Sequence, residues 1–66
     1  MQVFVNGEPI EIEAGATVAA LVRQLTDDPR GIAIELNREI VPKSRHEDTP
    51  LADGDRLEVV QFVGGG

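Results

Sequence analysis

Gly64-Gly65-Gly66 is where the chemistry of this chain could reside. A terminal α-carboxylate has a pKa of about 3.3–3.7, so on Gly66 it is ionised at neutral pH. In that form it resists nucleophiles, because it has no good leaving group. Its oxygen can nevertheless attack the α-phosphate of ATP, and the resulting acyl-adenylate can be opened by a nucleophile. Gly64 and Gly65 suit the approach to such a group: without Cβ atoms they thread a narrow channel and reach φ/ψ values closed to other residues. Val63 to Gly66, fully extended, would span about 13–14 Å. Three final glycines can also be a frayed end or a cloning remnant. Here they follow an apolar, strand-like run without a spacer, which favours the working tail.

Nothing else in the chain offers comparable chemistry. His46 is the single histidine; with no second ligand or nucleophile near it in sequence, it is expected to be a solvated loop residue. Asp27-Asp28 and the Asp53/Asp55 pair could suggest cation binding, but both match ordinary turn chemistry. Glu8, Glu11 and Glu13 read as a solvated strand edge. No phosphate loop, nucleophile elbow or dinucleotide fingerprint occurs. The expectation is a substrate of enzymes rather than an enzyme, with no metal and no permanently bound cofactor.

Positioning such a tail requires a compact body. Met1, Val3 and Val5 alternate with Gln2 and Phe4, Asn6-Gly7 supplies two positive-φ turn residues, and Ile10 and Ile12 alternate on the return. The register of that hairpin places Val3 opposite Ile10. Pro9 lacks a backbone donor, which makes the second strand an edge or starts it just after Pro9. Thr17 is a natural N-cap, and Val18, Leu21, Val22 and Leu25 form the apolar stripe of a helix of about nine residues. Ile32, Ile34 and Leu36 alternate in a third strand, Asn37-Arg38-Glu39 turns it, and Ile40-Val41 is a short fourth. Lys43 to Pro50 reads as polar and irregular, with Leu51 anchored in the core. Arg56 to Val63, the longest β-branched run, should be a central strand after the Asp53-Gly54-Asp55 turn. The order is ββαββ followed by a central strand. This is an α+β, ubiquitin-like β-grasp: a mixed sheet of four or five strands with one helix on one face. The expected boundaries are a domain over 1–63 and a flexible glycine tail over 64–66.

Composition narrows the partners. Twelve acidic residues against six basic ones give a formal net charge of -6 over 66 residues. That argues against nucleic acid or an anionic membrane, both of which need a basic footprint. Most of the charge reads as keeping a small protein soluble, and it would also steer the chain towards a partner with a basic docking surface. No apolar run approaches the roughly 20 residues that span a bilayer. With no charged-then-apolar leader, the expected location is the cytoplasm. If Val3, Val5, Leu57 and Val59 face the helix, alternation sends Phe4, Val60 and Phe62 to the uncovered face, a candidate docking patch.

Several local features together resemble one family. They are the Asn6-Gly7 hairpin, Ala14-Gly15-Ala16-Thr17-Val18 leading into the helix, and Leu36-Asn37-Arg38-Glu39-Ile40-Val41-Pro42. Leu51-Ala52-Asp53-Gly54-Asp55 and the closing Val60-Gln61-Phe62-Val63-Gly64-Gly65-Gly66 complete the set. In this order they resemble the bacterial sulfur carriers of thiamine thiazole synthesis, the ThiS family, across essentially the whole chain. The resemblance implies adenylation of the Gly66 carboxylate, with ATP, by an E1-like adenylyltransferase of the ThiF type. It further implies sulfur from a persulfide donor, a thiocarboxylate, and delivery to a thiazole synthase of the ThiG type. Since the chain has no cysteine, sulfur could ride only on the terminal carboxyl. A sulfur carrier of another pathway, such as the small subunit of molybdopterin synthase, is the nearest alternative. A ubiquitin-like protein modifier joined through Gly66 and a non-covalent binding module are the others.

Overall fold

The computed structural model describes residues 1–61, the last of these by its backbone. Phe62, Gly64, Gly65 and Gly66, singled out above, lie outside the described residues. Strands β1 (Gln2–Val5) and β2 (Glu8–Glu11) form the first hairpin, followed by helix α1 (Val18–Leu25). Strands β3 (Ile32–Leu36) and β4 (Glu39–Val41) form the second, and β5 (Arg56–Gln61) ends the described chain. The five strands lie in the order β2-β1-β5-β3-β4. β1 and β5 run parallel while the remaining pairs are antiparallel. This is the expected mixed sheet, with β5 at its centre and Pro9 on an edge strand.

The hairpins form where their turns permit. Asn6 (φ 51°) and Gly7 (φ 86°) both occupy the left-handed region, and Val3 pairs with Ile10 as alternation requires. Asn37 (φ 50°) and Arg38 (φ 74°) repeat this backbone in the second hairpin, with arginine where glycine would be at ease. Thr17 caps the helix: its Oγ1 accepts from the Ala20 N–H at 3.2 Å. Val18, Leu21 and Val22 turn onto the sheet, where Val3, Val5, Ile12, Ile34, Leu51 and Leu57 complete the core. Burying one such aliphatic side chain is worth roughly 1.5–3 kcal/mol. The helical stripe stops short of its expected length, for Leu25 is 39% exposed.

The segment expected to be irregular is ordered instead. Lys43–Asp48 winds a 3-10 helix, with the Arg45 N–H donating to the Pro42 carbonyl at 2.8 Å. The Thr49 hydroxyl closes its far end on the Arg45 carbonyl at 2.7 Å. This winding turns His46 inward, against expectation: it is only 8% exposed, and its Nε2 lies 3.0 Å from the Val41 carbonyl. A carbonyl only accepts, so Nε2 carries the hydrogen. The following residues are stitched to the helix start, Val18 N–H to Thr49 and Leu51 N–H to Ala16, at 2.9 and 2.8 Å. No helix among the described residues is long and apolar enough to cross a membrane.

Candidate functional site

Two features bear on the end expected to do the chemistry: the open face of the sheet, and the strand that precedes Gly64-Gly65-Gly66. Alternation along β5 buries Leu57 and half-buries Val59 on the helix side, leaving Arg56, Glu58 and Val60 on the open face. Phe4 joins them from β1, Ala33 and Glu35 from β3, and Ile40 from β4. Phe4 and Val60 therefore share the uncovered face, as expected, and Val60 is 51% exposed. They do not touch. Phe4 pairs with Arg56, whereas Val60 lies four residues further along β5, about 13 Å at the rise of a strand. Phe4 is half-buried, with the Arg56 guanidinium 4.9 Å from its ring centroid, a cation–π contact.

Between these two ends lies a row of charge. Glu35 and Glu58 stand directly opposite each other, and neither makes an ion pair among the described residues. Like charges so placed repel. The face is thus graded: Arg56 over Phe4 at one end, two carboxylates in the middle, and Val60 beside Ala33 at the end nearest the tail. Ile40, 65% exposed, flanks the carboxylates on the outer strand.

The acidic turns are occupied by backbone duties. Asp53 Oδ1 accepts from the Gln2 N–H and Asp55 Oδ2 from the Ala52 N–H, both at 2.8 Å. Asp28 grips Arg30 through two side-chain bonds of 2.9 Å, which hold its carboxyl down to about 2. No group of three His, Cys, Asp or Glu side chains among the described residues could hold a metal ion.

One residue whose only expected duty was the turn has a second. After Val5 the first hairpin leaves β5, and the Asn6 N–H makes the last backbone bond, to the Leu57 carbonyl at 2.9 Å. The Asn6 side chain then takes over. Its Oδ1 accepts from the Val59 N–H at 2.8 Å and its Nδ2 donates to the Val59 carbonyl at 3.3 Å. An amide side chain carries the same donor and acceptor as a peptide group. Asn6 therefore continues the ladder one step past the end of β1. At the opposite end of β5, Asn37 acts similarly, its Oδ1 accepting from the Arg56 N–H at 3.0 Å. Asparagine at the first position of each turn was the available signal, but turn geometry already accounted for it.

Comparison with known proteins places this geometry in context. The sequence model described as the ThiS family matches residues 3–66. The sulfur carrier protein ThiS of Escherichia coli is 33% identical over 66 residues, covering 100% of both chains. Its counterpart in Thermus thermophilus is 38% identical over 64 residues, covering 97% of this chain and 98% of that one. A thiazole synthase of Paramagnetospirillum magneticum is 47% identical over 66 residues, all of this chain but 20% of that protein. The chain thus spans about one fifth of that relative's length. The crystal structure of a thiamine biosynthesis protein (ThiS) from Geobacter metallireducens superimposes with a TM-score of 0.84 at 30% identity, covering 100% of both chains.

Proposed function

The chain belongs to the ThiS family of sulfur carrier proteins, and on that premise we propose that Gly66 bears the terminal carboxylate on which sulfur is carried. In this reading an E1-like adenylyltransferase of the ThiF type binds the carrier and ATP together. The Gly66 carboxylate oxygen attacks the α-phosphate, pyrophosphate leaves, and the carboxyl is activated as an acyl-adenylate. The terminal sulfur of a persulfide donor displaces AMP, and a second thiol cleaves the S–S bond to leave the thiocarboxylate. Thiazole synthase receives that sulfur. The chain itself is a substrate throughout: ATP belongs to the activating partner, and no cofactor resides on the carrier.

The observation that carries this reading is the family match running through Gly66 in a chain without cysteine. With no thiol available, a persulfide on the carrier is ruled out and the carboxyl is the remaining seat for sulfur. Thiazole synthase is favoured as the acceptor because a segment like this whole chain makes up about one fifth of a protein of that name. The open face supplies the docking surface, with Val60 at one end and Phe4 beneath Arg56 at the other.

Intact-mass measurement tests the proposal. Incubation with the activating enzyme, ATP and a persulfide donor should add the mass difference of one oxygen-to-sulfur exchange, located at Gly66 by fragmentation. An unchanged mass overturns the reading. Conjugates to lysines of other proteins would instead make the chain a modifier.

A further inference from the structure

We propose that Asn6 is a positioning residue for the tail, its side-chain amide fixing the point from which the chain sets out towards Gly66. The inference rests on the carrier reading above. The last grip on β5 from the β1 side is not a strand but the Asn6 amide, through its two bonds to Val59 at 2.8 and 3.3 Å. On the other side β3 stays in register with β5, Ala33 with Val60 and Ile32 with Gln61. β5 is therefore held from both flanks as far as Val59, seven residues before Gly66.

Two effects of releasing the clamp can be separated by size. If β5 also came away from β3 and peeled back to Leu57, the distance along the chain from the sheet to Gly66 would grow from the five residues beyond Gln61 to nine. Effective concentration at a docked partner's site falls roughly as the −3/2 power of length, so even this alone costs only about 2.4-fold. Loss of direction costs more, because reacting groups tolerate little misplacement. A decrease beyond about 2.5-fold therefore marks direction rather than reach.

Asn6→Gly removes the amide while keeping a residue at ease at the observed φ of 51°. Asn6→Asp keeps an acceptor for the Val59 N–H and loses the donor. In Asn6→Gly, amide exchange at Val59 should quicken about tenfold, as two hydrogen bonds are lost, while Leu57 is unaffected. With the activating enzyme, at a temperature where all variants are folded, its kcat should fall threefold or more with KM within about twofold. Asn6→Asp should lie between Asn6→Gly and the parent. A residue that only stabilises the fold would leave kcat unmoved under these conditions. The inference is overturned if Val59 exchange is unchanged in Asn6→Gly, or if kcat stays within about 2.5-fold once protection is lost. Absence of any adenylate on the parent chain sinks the carrier reading itself, and this inference with it.

Discussion

Asp28 and Arg30 show what one pair of exposed side chains can do. Arg30 contributes Nε and Nη2 to the two Asp28 oxygens, each at 2.9 Å, and its backbone N–H adds a third bond at 3.1 Å. Together they lower the Asp28 pKa from 3.8 to about 2, the side-chain bond being the largest cause. A carboxyl depressed on folding adds stability that is fully present above its unfolded value. That stability is lost as pH falls from about 4 through about 2. Arg30→Ala should move the Asp28 midpoint upward towards 3.8 without fully reaching it, since the backbone donor remains. Carbon-detected NMR titration of the Asp28 carboxyl checks this. Arg38 presents the opposite case, a side chain held at φ 74°, where Cβ is crowded. Arg38→Gly should raise stability by about 0.5 kcal/mol, read as a higher denaturant midpoint at unchanged slope.

Among the elements, those built on periodicity were legible from sequence and the one built on a single buried ring was not. Period-two runs and Asn6-Gly7 gave the first hairpin its register, Thr17 and the Val18, Leu21, Val22 spacing gave α1, and the β-branched run gave β5 its central place. Lys43–Asp48 has no apolar repeat to betray it, because its attachment to the core rests on His46 alone. An isolated histidine among charges looks solvated until the winding that turns it inward is known. His46→Ala should therefore destabilise the protein by about 2 kcal/mol, through lost packing and the bond to Val41. Chemical denaturation would show the loss, and a cost near zero would mean the 3-10 helix does not depend on that ring. The Asn6 clamp was hidden for another reason. Two functions sat on one residue, and the turn explained its identity before the Val59 contact was visible.

Across the whole molecule, a charge of -6 and a graded open face are what the proposed docking would use. If that face docks a partner as proposed, Glu35 and Glu58, which make no ion pair among the described residues, favour a cation near its middle. The exposed Val60 favours an apolar surface beside Ala33. Phe4 is shielded by Arg56 and offers the partner less apolar area than its residue type suggests. The family match and the fold agree in placing the chain among the ThiS sulfur carriers. The strand order carries one more consequence, which concerns synthesis. β5 joins the two hairpins, yet it is the last of the five described strands to leave the ribosome. Until Arg56 to Gln61 have emerged, β1–β2 and β3–β4 have no common neighbour and the core cannot close. A chain interrupted before Arg56 therefore cannot close the sheet, and a protease meeting it would find it open.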